Sequence, residues 1–183
     1  LYSIDLCCVF IMNSLAVSSH GVRMTKKPLD EIIESYPGFA DVDILKIDTD
    51  GHDFEVLAGA RKLVLTAKPV VLFECDAFRN EHCVVEDCSE TLRFFRSSGY
   101  NSILVYDNFG YLMGKYLLLD FRAIQCLIFY QLTSPFYYFD ILVMKDSELS
   151  GFFKSEVEFF MENMPNELLR SSARFAVESF GDV

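Results

Sequence analysis

The chain has 183 residues, 16 of them Lys or Arg and 27 Asp or Glu, for a formal net charge of −11 at pH 7. Such a length suits one domain with enough chain to bury a core. With 51% hydrophobic and 23% charged residues it is neither disordered nor collagen-like, and its acidity argues against gripping nucleic acid or an anionic membrane by charge, which needs clustered Lys and Arg.

Phenylalanine (18) and tyrosine (9) supply core material, and tryptophan is absent. The chain starts at Leu1 with neither a basic leader nor a small-residue cleavage site, so no signal peptide is expected and the chain reads as a piece of a longer protein. Two apolar stretches invite a membrane reading. Residues 4–12 are too short and carry Asp5, while 116–139 hold Asp120 and Arg122 mid-span, so no membrane insertion is expected. The six cysteines (Cys7, Cys8, Cys75, Cys83, Cys88, Cys126) form no Cys-x-x-Cys pair, and no Asn-x-Ser/Thr site occurs. A reduced, cytoplasmic setting is expected.

In chain order, residues 9–17 (VFIMNSLAV) read as a buried strand ended by the polar turn 18–21. Pro28 opens a short helix over 29–34, which Pro37-Gly38 stops. Residues 42–48 form a second apolar strand, followed by the turn Thr49-Asp-Gly-His52 and a helix over 53–65, whose Val56, Leu57, Ala60, Leu63 and Val64 make one stripe. Pro69 to Cys75 is an almost uninterrupted apolar strand, the pattern of a parallel sheet covered on both faces. A helix over 86–98 closes at Gly99, a strand follows at 101–106, and a turn at 107–110 leads into Tyr111-Leu-Met. Residues 136–145 form a last, aromatic strand. Strands alternating with helices predict a doubly wound α/β sheet over residues 1–146. Residues 147–183 predict a helical extension of two amphipathic helices broken at Pro165.

Open α/β sheets bind ligands beyond the carboxyl ends of their strands. That rule singles out residues 46–53 (KIDTDGHD). Asp48 closes a strand, Gly51 permits a tight turn, Asp50, His52 and Asp53 surround it, and the next strand brings Glu74 and Asp76 to the same rim. An EF-hand fails, because Lys46 and Leu57 would fall where the loop needs carboxylates. Two readings stay open on residue types alone: a DxD-type metal site of a nucleotide-sugar transferase at Asp48 and Asp50, and acids that only cap a helix and a turn. His82, Cys83 and Cys88 offer three zinc-type ligands without a partner pair, so no metal is assigned. His20 and His82 read as surface residues.

Residues 44–60 (ILKIDTDGHDFEVLAGA) resemble the signature of the FkbM-type family of S-adenosylmethionine-dependent methyltransferases, whose pattern runs Lys-Ile-Asp-x-Glu-Gly-x-Glu and then Val-Leu-x-Gly-Ala. Lys46, Ile47, Asp48, Gly51, Val56, Leu57, Gly59 and Ala60 match, while Asp50 and Asp53 replace glutamates, keeping the charge and shortening the reach by one methylene. Pro28-Leu-Asp30, Lys68-Pro69 through Glu74, Ser98-Gly-Tyr100 and Phe139 to Val143 resemble its other landmarks, as does Asn13 to Ser18, so the resemblance covers residues 9–146.

The resemblance implies a Rossmann-like class I methyltransferase sheet with S-adenosylmethionine as cofactor, held by a Gly-rich loop after the first strand and an acid ending the second. None of the nine glycines forms a Gly-x-Gly pair. The expectation is therefore a sheet lacking its first two strands, with strands 42–48 and 9–17 left as bare edges open to self-association, or with 9–17 moved beside 42–48. By the same resemblance, Asp48 faces the cofactor's methionine end and the acceptor, and Ser18 touches the adenine. His52 is the candidate base for a hydroxyl acceptor, and Asp50 and Glu74 line the pocket of a small-molecule or glycan acceptor. The expected activity is O-methylation of a small-molecule or sugar hydroxyl. The alternative is a non-catalytic, partner-binding remnant of the fold.

Overall fold

The fold is that of a computed structural model, which describes residues 27–77, 84–134 and 138–178. The expected strand at 9–17, Ser18, His20, His82 and Cys83 lie outside the described residues. The chain divides into two compact units at Lys145/Asp146.

In the first unit, Pro28 precedes helix α1 (Leu29–Ser35), and Pro37-Gly38-Phe39 form a single 3-10 turn. Strand β1 (Ile44–Lys46) runs parallel to β2 (Val70–Cys75) in the register Leu45–Val71. Their pairing extends to a bond from Ile47 N–H to the Leu72 carbonyl, 2.8 Å. Strand β3 (Ser102–Asp107) turns through Gly110 into β4 (Leu112–Leu117), an antiparallel hairpin. Helix α5 (Phe121–Thr133) leads to β5 (Phe139–Val143).

The expectation of a parallel sheet needs correction. Strand order is β1-β2-β5-β3-β4, and the last strand of the unit inserts between β2 and β3, antiparallel to both. The sheet is mixed, and its architecture is Rossmann-like. Val143 faces both Val71 and Ile103, three buried β-branched side chains at the centre. Among the described residues β1 and β4 are the two edges.

The helix expected over 53–65 is also corrected. It is two helices, α2 (Asp53–Ala58) and α3 (Arg61–Ala67), separated at Gly59-Ala60. A β-carbon on Gly59 would lie 3.1 Å from Pro28 Cα, and the Gly59 carbonyl accepts the Asp30 N–H at 2.8 Å. The start of α1 thus packs where a continuous helix would put a side chain.

Helix α4 (Val84–Ser97) buries Val84, Cys88, Thr91, Leu92 and Phe95, a helical stripe. Phe54, Phe73, Phe95 and Tyr100 form a chain of ring contacts at 5.6–6.1 Å that ties α2, β2, α4 and the entry to β3. The Tyr100 hydroxyl donates to the Pro69 carbonyl at 2.9 Å, and the Lys68 ammonium donates to the Ser98 carbonyl. The second unit is α6 (Asp146–Glu162) and α7 (Glu167–Glu178), with Pro165 in the link. The Asn166 side chain accepts the Leu169 N–H at 2.9 Å, capping α7. Among the described residues no helix is long and apolar enough to cross a membrane.

Candidate functional site

Strands β1, β2 and β3 share one direction and β5 opposes them, so three strand C-termini and the N-terminus of β5 meet at one edge. To that edge the sequence brings Asp48 after β1, Glu74 and Asp76 at the end of β2, Asp107 at the end of β3 and Asp140 at the start of β5. Lys46 offsets some of the negative charge around Asp140 and pairs with Asp48 at 3.1 Å.

The connection from β1 to α2 forms a tight turn. Asp50 (φ 53°) and Gly51 (φ 103°) are both left-handed, a pair of conformations that glycine accommodates freely and aspartate tolerates. The turn exposes Asp50 and Asp48 and leaves His52 half-buried at the N-cap position of α2. His52 Nδ1 faces Glu55 Oε2 at 3.4 Å.

Asp53 behaves oppositely. It is 1% exposed and accepts from the Thr49 hydroxyl at 2.9 Å and from the Glu74 backbone N–H at 3.2 Å. Burial raises its carboxyl above the ordinary aspartate value, with the Thr49 and Glu74 hydrogen bonds opposing that rise. Asp53 therefore ties the turn after β1 to the end of β2.

Asp140 lies directly across from Glu74 in the β2–β5 register. Burial raises its carboxyl too; Lys46 pulls it down while Asp48, Asp53 and Asp107 push it up. Asp107 accepts from the N–H groups of Phe109 and Tyr111, both at 2.9 Å, and so holds the β3–β4 turn.

Of the residues expected from sequence, Asp48, Asp50, His52 and Glu74 come to this one edge. Asp48, Asp50 and His52 reach solvent, whereas Glu74 is 9% exposed and sits beside the turn through its amide bond to Asp53. Sequence reasoning left out Glu55 and Asp140 as site residues. Asp140 had a legible signal, since it is the only charged residue in the apolar run 136–144. Glu55 had a weaker one, three positions after His52 on a helix.

The donor set suits a cation. Asp48 and Asp50 are exposed there, with Asp76 and Asp140 at the same edge. Among the described residues no group of three or more His, Cys, Asp or Glu could hold a metal ion. A separate cavity of about 180 Å³ lies over α1 and α3, lined by Asp30, Ile33, Glu34, Pro37, Lys62 and Leu63 among others. It belongs to a different part of the fold.

The sequence profile of the Methyltransferase FkbM domain matches residues 11–102, half of the chain. No curated protein and no solved structure matches.

Proposed function

Because the chain belongs to the family of the Methyltransferase FkbM domain, we propose that it transfers a methyl group from S-adenosylmethionine to a hydroxyl of a small molecule or sugar. The observation that carries this reading is the solvent-facing turn holding Asp48, Asp50 and His52 at the carboxyl edge of two parallel strands. That is where open α/β sheets place their ligands.

S-adenosylmethionine, when bound, supplies an electrophilic methyl carbon on a positively charged sulfur. Methyl transfer is an in-line displacement, so the chain's task is alignment and proton removal. Asp48 offers its exposed carboxylate to the donor's cationic methionine end. Asp50 and Glu74 flank the acceptor. His52, with Nδ1 turned to Glu55, would present Nε2 to the acceptor hydroxyl and remove its proton. Ser18 keeps its proposed contact with the adenine.

Isothermal titration with S-adenosylmethionine and a radiolabelled methyl-transfer assay over sugar and small-molecule hydroxyls test the proposal. Asp48→Asn should weaken donor binding, whereas His52→Ala should leave binding intact and slow transfer about 10²- to 10⁴-fold, the usual worth of a general base. Failure of the wild-type protein to bind the donor would favour the partner-binding reading, for which β1 and β4, the edge strands among the described residues, are the self-association surfaces.

A further inference from the structure

Strand β2 runs past both of its neighbours. Val70 N–H bonds to the Asp43 carbonyl and the Leu72 carbonyl accepts from Ile47, so the backbone groups of even-numbered β2 residues point toward β1. Those of odd-numbered residues point toward β5, whose first residue, Phe139, faces Cys75. Past these points two side chains bond the β2 backbone among the described residues. On the β1 flank the Asp53 carboxylate accepts the Glu74 N–H. On the β5 flank the side-chain amide of Gln131, from the last turn of α5, accepts the Ala77 N–H at 3.0 Å and donates to the Cys75 carbonyl.

One carbonyl and the N–H two residues later, bonded to one planar amide, reproduce one step of a β-ladder. Gln131 is 0% exposed, deep in a helix whose surface reaches solvent at Gln125, Phe129 and Tyr130. Among the described residues these two bonds satisfy the amide, and a buried amide without partners is costly.

The geometry points to Gln131 as a positioning residue of the site: its amide bridges the Cys75 carbonyl and the Ala77 N–H, fixes the Cys75–Ala77 backbone, and thereby sets the place of Glu74 and Asp76 at the acidic edge. The claim that this matters for ligand binding rests on the methyltransferase reading; the strand-end clamp itself does not.

The ionisable groups acting on Cys75, at this clamp, are the Cys88 thiol and the carboxyls of Asp76 and Asp53, none of them cationic. Gln131→Glu keeps the shape of the side chain. When neutral, its carboxyl accepts from Ala77 and donates to Cys75, as the amide does; when ionised it can only accept, and it meets the Cys75 carbonyl oxygen with no proton to offer. The clamp in this variant should close at low pH and open as pH rises. Gln131→Met, of similar size, should lose it at all pH values.

The experiment is amide hydrogen exchange at Ala77, followed by NMR in the full chain, with each variant referenced to wild type at the same pH. In wild type, Ala77 should exchange as slowly as Phe73 within the ladder; fast exchange there would overturn the clamp without recourse to any variant. Gln131→Glu should match wild type at pH 5 and exchange about tenfold faster at pH 8, the effect of one lost hydrogen bond. Protection equal to wild type at pH 8, or in Gln131→Met, overturns the inference. S-adenosylmethionine titrated into the same samples should bind Gln131→Glu as wild type at pH 5 and more weakly at pH 8. An unchanged affinity at pH 8 alongside lost protection would overturn the positioning role. If wild type binds no S-adenosylmethionine, the methyltransferase reading falls, and the exchange contrast alone decides the clamp.

Discussion

Asp30 caps helix α3 from another helix: its Oδ1 accepts the backbone N–H of Leu63 at 2.9 Å, 33 residues along the chain. Its Oδ2 takes the Lys62 N–H at 2.8 Å. Ala60, at the N-cap position, has no side-chain oxygen to offer, so the exposed N–H groups of the first turn are satisfied from outside. Asp30→Ala should cost about 1–2 kcal/mol, the range for a lost N-cap. Asp30→Asn, which keeps one acceptor, should cost less. Urea unfolding of the three proteins decides it, and equal midpoints for wild type and Asp30→Ala would refute the cap.

Glycines 59 and 151 should respond oppositely to alanine. At Gly59 the new β-carbon meets backbone atoms of Pro28 and Leu29 at 3.1 and 3.3 Å, so α1 must shift; a loss of about 1–3 kcal/mol is expected. Gly151 lies inside α6 with nothing within 4 Å, and alanine there should add about 0.5–1 kcal/mol of helix stability. Thermal melts of the two variants should move in opposite directions.

The carboxyl of Asp53 is raised by burial, and that fixes a sign. A carboxyl whose folded value lies above its unfolded value favours the fold when neutral. Its contribution is complete below the ordinary aspartate range and is lost as pH rises through the folded value. Asp53→Asn removes this loss, so stability plotted against pH should climb more steeply, or fall less, than in wild type over the window above the ordinary range. Denaturant titrations across pH 4–7 measure the two slopes, and parallel curves would remove Asp53 as their cause.

Thiol reactivity should separate the described cysteines. Cys126 is exposed, whereas Cys75 and Cys88 are buried. A hydrogen bond with Cys88, and then burial, hold the Cys75 thiol well above its ordinary value. Cys126→Ser should remove one fast-reacting equivalent toward an aromatic disulfide reagent in native protein. Cys88→Ala should leave the fast amplitude unchanged, and a fall in that amplitude would mean the pair is accessible.

Much of the site was legible because strand-end chemistry is local. Asp48, Gly51 and His52 are contiguous, and a turn between an apolar strand and an amphipathic helix puts them at the sheet edge whatever lies beyond. Asp53 shows where that reasoning stops. Its neighbours Asp50 and His52 reach solvent, but its own carboxyl turns inward to Thr49 and to Glu74, which is 21 residues away. Several residues that carry the family resemblance proved to be fasteners: Asp30 and Gly59 join α1 to α3, and Lys68 and Pro69 join Ser98 and Tyr100.

The sequence alone determined α1, β1, β2, α4, β3, β5 and the C-terminal helices, and which residues crowd the β1–α2 turn, because periodicity, turn residues and caps act over a few positions; α5 and β4 were not read from it. Only the tertiary structure decided that β5 inserts antiparallel beside β2, that one apolar stripe breaks into α2 and α3, and that the Gln131 amide bridges Cys75 and Ala77. Those outcomes depend on pairings between residues 33 to 72 positions apart. There the gain is a satisfied backbone group or a filled gap, and neither leaves a local mark on composition.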